Sequence, residues 1–169
     1  MTAETAPPDT QHAWALYLQA SEEARSQGDR RTGTDHILLA LLADPAVEAL
    51  LHVDVQTARQ VRASLDEAAF AAMGLASIDA PLLAMRAVPS KPRIRDVARQ
   101  DRLRMTPAAK RVLEEASKLN RRRIRLTAAQ VLAQLLELEP PDPAAVLLGA
   151  LGVNTAEVRR ELRASTTDD

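Results

Sequence analysis

The chain contains no cysteine among its 169 residues, which excludes a disulfide framework, a thiolate zinc site and a cysteine nucleophile. Aromatic side chains are almost missing as well, since Trp14, Tyr17 and Phe70 are the whole set. A core of that kind is built from helices that mesh small and branched aliphatic side chains, because sheets favour β-branched and aromatic residues. Charge of one sign is lacking too: 22 Lys and Arg against 23 Asp and Glu leave a net charge of −1. Nothing in that balance pulls the whole molecule toward nucleic acid or anionic lipid, so any basic surface is local. No segment approaches the roughly 20 apolar residues of a membrane span, and the opening "MTAETAPPDTQ" has neither a basic stretch nor an apolar run. The expectation is a soluble, unexported, cytoplasmic, all-α protein.

What is present is a series of helix signals in a repeating order. Thr10 is expected to cap a helix whose apolar face holds Ala13, Trp14, Tyr17, Leu18 and Ala24, with Gly28 as its stop. Thr34 is expected to cap a second helix over 35–43, ended by "ADP". A short segment at 47–51 follows, and Asp54 caps a helix carrying Val55, Ala58, Val61 and Leu65. The second half repeats the plan. Thr106-Pro107 opens a helix with Ala109, Val112, Leu113 and Ala116 on one face, and Thr127 opens another with Val131, Leu132, Leu135 and Leu136. After "EPPDP" come "AAVLLGALGVN" and a helix from Asn154, where Glu157 completes a capping pair.

The halves align as copies. "TQHAWALYLQA" matches "TPAAKRVLEEA", "GTDHILLALL" matches "TAAQVLAQLL", and "LLHVDVQTARQVRASL" matches "LGALGVNTAEVRREL". The length differences fall in loops, where they are tolerated best. Each unit of four helices has an apolar face too large to leave wet, so the prediction is one pseudo-twofold bundle of about eight helices rather than separate beads. The expected organisation is a flexible N-terminus over 1–9, a first repeat over 10–65, a partly helical basic connector over 66–104, a second repeat over 105–163 and a flexible tail over 164–169.

The stretch "GDRRTGTDHILLALLADP", residues 28–45, is the one place that invites a chemical reading. Gly28 to Thr34 approaches a phosphate loop but lacks its lysine and follows a helix rather than a strand. Asp35 and His36 are metal-ligating types, yet His12 and His52 stand at no helical spacing from them. No nucleophile and base can be paired, so no catalytic residue, cofactor or metal site is assigned and the chain is not expected to be an enzyme. The stretch does fit a helix start. Thr34 offers a hydroxyl to free backbone amides, Asp35 sets a negative charge at the positive helix end, and His36 reads as a packed or surface side chain.

The order "A-x-x-E-A-R-x-x-G-x-x-x-x-G-T-D-H-I-L-L-A-L-L" from Ala20 to Leu42, with "TPAAKRVLEEA" and the "LGVN" turn at Leu151 to Asn154, carries a resemblance. It resembles the twice-repeated N-terminal domain of the Clp ATPases, especially the ClpC and ClpA type, from about Thr10 to Arg163 without the connector. The resemblance implies a compact bundle of two Clp repeats that is not itself an enzyme, here a free-standing copy without ATPase modules. It implies partners among a Clp ATPase, its adaptors or protease substrates. It also implies a peptide or phosphoarginine-binding segment in each repeat. The first maps to Thr34, Asp35 and His36, with aspartate where the family has glutamate. The second maps to Ala128, Ala129 and Gln130, where the carboxylate that would meet a guanidinium is gone. One weak site is therefore the expectation.

Three functional readings follow. The first is an adaptor, decoy or regulator of Clp-dependent proteolysis, binding through an apolar and charged groove between the two copies. The alternative is a nucleic-acid-binding regulator using "RRRIR" at Arg121 to Arg125 and the connector arginines. The neutral overall charge and the absence of aromatic interleaving argue against it. An unrecognised hydrolase is the third. Arg122 and Arg123, in a loop two residues shorter than its counterpart, are a candidate partner surface or simply solubilising charge.

Overall fold

A computed structural model describes residues 10–11, 13–74, 103–118 and 126–167. The connector arginines before Arg104, and Arg122 and Arg123, lie outside the described residues.

Eight helices are seen among the described residues: α1 (Ala13–Ser26), α2 (Thr34–Leu41), α3 (Pro45–Leu51), α4 (Val55–Ala72), α5 (Pro107–Lys118), α6 (Ala128–Leu136), α7 (Pro143–Ala150) and α8 (Thr155–Thr167). The fold is all-α, and each repeat contributes four helices in the same order. Their starts follow from local chemistry. Asp44 and Asp142 each accept a backbone amide two residues on, just ahead of a proline at the first helical position. Asp54 accepts the amides of Gln56 and Thr57, Thr106 that of Ala109 and Asn154 that of Glu157.

Among the described residues four two-residue strands stitch the repeats together: β1 (Thr10–Gln11), β2 (Arg31–Thr32), β3 (Arg104–Met105) and β4 (Leu126–Thr127). β1 pairs antiparallel with β4 and β2 parallel with β3, so the segment entering each repeat pairs with the loop before the second helix of the other. Around β3, Leu103 accepts the Tyr17 hydroxyl proton at 2.6 Å and donates its amide to Ser21 Oγ at 3.2 Å. These cross-links are one reason the halves form a single body.

The core is likewise shared. One continuous apolar cluster runs from Leu16 to Leu162 and draws on all eight helices. Every residue of α2 is buried, so the first repeat's second helix is the central post of the molecule. The faces expected for α5 and α6 are the faces buried.

Several expectations are revised. Thr10 lies in β1 instead of capping a helix, because its backbone is drawn into the bridge to Thr127. On α1 the buried set is Leu16, Tyr17, Ala20, Ser21 and Ala24, while Trp14 and Leu18 face outward. α2 packs along α1, and Leu103 bonds Tyr17 and Ser21, so these neighbours cover the side that holds Tyr17 and Ser21. α8 continues to Thr167, past the boundary read at Arg163. α4 runs to Ala72 and stops before Gly74 at φ +73°, but only Ala58 is fully buried along it.

Candidate functional site

Two places among the described residues stand out as combining accessible or reactive groups with a built surround. The first is a groove between α1 and α5, where the two repeats meet. Ala13, Trp14 and Tyr17 form one wall, Met105 and Leu113 the other, and Lys110, Glu114 and Lys118 stand on the rim. The groove is open to solvent and offers about 780 Å³. Trp14 is 47% exposed although its indole lies 5.3 Å from the Tyr17 ring at a tilt of 49°. The pair is a tilted aromatic contact of the favourable kind, so the large apolar ring is held open to solvent rather than dangling. Each rim lysine sits beside a glutamate, Lys110 with Glu114 at 3.5 Å and Lys118 with Glu115 at 2.6 Å. An apolar floor between charges is the arrangement that accepts an apolar segment and orients it.

The second place is the loop entering α2, which holds Thr34, Asp35 and His36. All three are buried. The N-cap is Gly33, one residue earlier than expected, and Thr34 occupies the first helical position. The alignment of the repeats explains the shift, because Gly33 stands where Thr127 caps α6. His36 and Gln130 then occupy matching positions and do the same work: Gly33 donates its N–H to His36 Nδ1 at 2.9 Å, and Thr127 donates to Gln130 Oε1 at 3.2 Å. With no side chain on Gly33 to cap α2, the hydroxyl of Thr34 is free for another task. It donates to Asp142 Oδ1 at 2.6 Å and accepts the Ala144 amide at 3.3 Å, joining the cap of α7.

Asp35 is committed as well. Its Oδ2 accepts from Arg62 Nε at 2.6 Å. Arg62 Nη2 donates to Asp29 Oδ2 at 2.5 Å, and Nη1 reaches Gln27 and lies 3.3 Å from Asp66. Every nitrogen of the guanidinium thus meets an oxygen. His36 Nε2 lies 2.9 Å from the same Asp29 oxygen. Burial by itself would raise the Asp35 carboxyl, but hydrogen bonding and charge from His36 and Arg62 outweigh it and hold the group at about 2.

Sequence reasoning found the triplet but missed Arg62. The signal was there: Arg62 follows Ala58 by four residues, one turn along the face that α4 buries. A charged residue at that position requires a partner in the adjoining loop.

In the second repeat Ala128, Ala129 and Gln130 begin α6, and among the described residues the side-chain hydrogen bonds there are those of the Thr127–Gln130 capping box. Among the described residues no group of three His, Asp or Glu side chains is placed to hold a metal ion, and no helix is long and apolar enough to cross a membrane.

A model of the Clp repeat (R) N-terminal domain matches residues 9–126, which takes in the first repeat and the start of the second. No curated protein matches the chain.

Proposed function

Because this chain belongs to the Clp repeat (R) N-terminal domain family, we propose that it is a non-enzymatic protein-binding or peptide-binding module that serves as an adaptor, decoy or regulator of Clp-dependent proteolysis. In this reading it works in the cytoplasm and its partners are a Clp ATPase, the adaptors of that ATPase or protease substrates. Binding takes place in the groove between α1 and α5. The observation that carries this is Trp14, a large apolar side chain kept half exposed at the seam of the two repeats, in a groove it lines with Tyr17, Met105 and Leu113. Rigid aromatic anchors at the centre of an apolar patch dominate binding energy in protein interfaces. The charged rim lets a partner's polar flanks choose the register.

Trp14 is also the single tryptophan of the chain, so it reports on its own groove. Titration with a purified Clp ATPase or its adaptor is expected to shift the indole emission to the blue. Trp14→Ala, which lacks the fluorophore and is read by titration calorimetry alongside the native chain, is expected to weaken that association roughly tenfold or more while leaving the thermal transition in place. If Trp14→Ala binds as tightly as the native chain, the groove is not the site. If the native chain associates with no Clp component at all, the role in proteolysis fails.

A further inference from the structure

The loop entering α2 and the face of α4 together build a receptor for one guanidinium, and that receptor is already full. Asp35 and Asp29 place carboxylate oxygens 2.6 and 2.5 Å from Nε and Nη2 of Arg62, and Gln27 and Asp66 take the remaining nitrogen. A planar fork held on three nitrogens is the most selective recognition a protein offers an arginine group. The side chains at its centre are largely withdrawn from water, Asp35 at 9% and Arg62 at 14% exposure.

We propose that Arg62 is an internal pseudo-ligand: it closes the Thr34-Asp35-His36 segment to any arginine-type ligand from outside, and α4 must release its hold on the loop before such a ligand can enter. An arriving guanidinium has no free oxygen on Asp35, since Oδ2 faces Arg62 Nε and Oδ1 lies in the crowded space against Gly33 and His36 Nδ1. Displacing Arg62 would part a largely withdrawn cation from the carboxylates of Asp29, Asp35 and Asp66, which costs more than exchanging two solvated groups. The closure is coupled to the position of α4. Beyond Arg62 that helix has no fully buried residue, Leu65 being only partly buried against the core, and Arg62 and the Arg59 pair with Glu23 are its ionic ties to the first repeat. Entry of an outside guanidinium and docking of α4 therefore compete for the same carboxylates, and by linkage each weakens the other. This inference bears on the phosphoarginine expectation and does not depend on the groove; a result at Arg62 leaves the groove reading untouched.

The test compares the native chain with Arg62→Ala, following the amides of Gly33, Asp35 and His36 by NMR during titration with phosphoarginine and, separately, guanidinium chloride at low concentration. The native chain is expected to show no saturable change up to about 10 mM of either probe. Arg62→Ala is expected to saturate, with affinity for guanidinium at least tenfold above native, and its melting temperature is expected to rise with guanidinium but not with sodium chloride. Saturable binding of phosphoarginine by the native chain, or equal behaviour of native and variant, overturns the proposal. Where Arg62→Ala is poorly folded, Arg62→Gln is used; recovery of the native spectrum on adding guanidinium supports the proposal, and a variant that guanidinium cannot restore overturns it.

Discussion

The hydroxyl of Thr34 lies 2.6 Å from the carboxylate of Asp142, 108 residues further along the chain. Two helix caps are fused by that contact: Thr34 begins α2, the most deeply buried helix, and Asp142 begins α7 of the other repeat. The Ala144 amide is shared between them, 3.3 Å from Thr34 Oγ1 and 3.0 Å from Asp142 Oδ1. A residue that sequence reading assigned to its own helix thus ties the two repeats at their centre.

Thr34→Val keeps the shape of the side chain and removes the donor. Asp142 then retains only its amide partner in a half-buried setting, so a loss of about 1–2 kcal/mol is expected. Thr34→Ser keeps the hydroxyl and should lose less than half of that. Urea unfolding measures both, and equal losses for the two variants would show that the methyl group and not the hydrogen bond matters.

Gly33 is required for space rather than for backbone freedom, since its φ of −93° suits any residue. A Cβ there would collide with Asp35 Oδ1 and stand 3.3 Å from His36 Nδ1. Gly33→Ala is expected to destabilise by about 1–3 kcal/mol through overpacking. Asp35→Ala removes the clashing atom, so the two substitutions together should cost less than the sum of their separate effects. Strict additivity in thermal unfolding would refute the clash.

How much of this was legible in the sequence depends on the range of the interaction. The duplication, the helix count and the buried faces of α5 and α6 rest on spacing within a helix, which a sequence displays directly. Caps at Asp54, Thr106, Thr127 and Asn154 were legible because their partners lie two or three residues away. The cap at Thr34 was misread because a neighbouring glycine took the position and freed the threonine for a partner 108 residues distant. Trp14 and Leu18 were misplaced because a stripe containing Leu16 as well is wide enough to be rotated by whatever packs on it. The Arg62 cluster brings together residues 27, 29, 35, 62 and 66, and only the fold decides that these meet.

The low pKa of Asp35 makes a prediction about acid. Folding lowers this carboxyl from 3.8 to about 2, so its ionised form is favoured in the native state. The stabilisation is complete above about pH 4 and disappears as pH falls toward 2, a change of about 2 kcal/mol. Asp35→Asn should therefore flatten the fall in stability between pH 4 and pH 2 relative to the native chain, as read from urea midpoints. Asp54, whose carboxyl is also lowered by hydrogen bonds from Thr57, is present in both proteins and cancels. Parallel pH curves would mean that the contacts of His36 and Arg62 with Asp35 contribute nothing on folding.

The turns that lead into α4 and α8 occupy matching places in the two repeats and face each other across a cleft of about 400 Å³. In the second repeat the left-handed position is Gly152 at φ +71°, where the lack of a Cβ makes the conformation free of strain. In the first the same position is His52 at φ 53°, the one non-glycine residue with positive φ among those described. An exposed histidine held there carries a backbone cost of roughly 1 kcal/mol that the fold does not use for packing. His52→Gly is expected to raise stability by about 0.5–1 kcal/mol despite the greater freedom glycine gives the unfolded chain, and Gly152→Ala to lower it by at least as much. Melting temperatures of the two variants decide the matter together. If His52→Gly is destabilising while Gly152→Ala behaves as expected, the imidazole makes a contact across the cleft that outweighs the strain of its backbone.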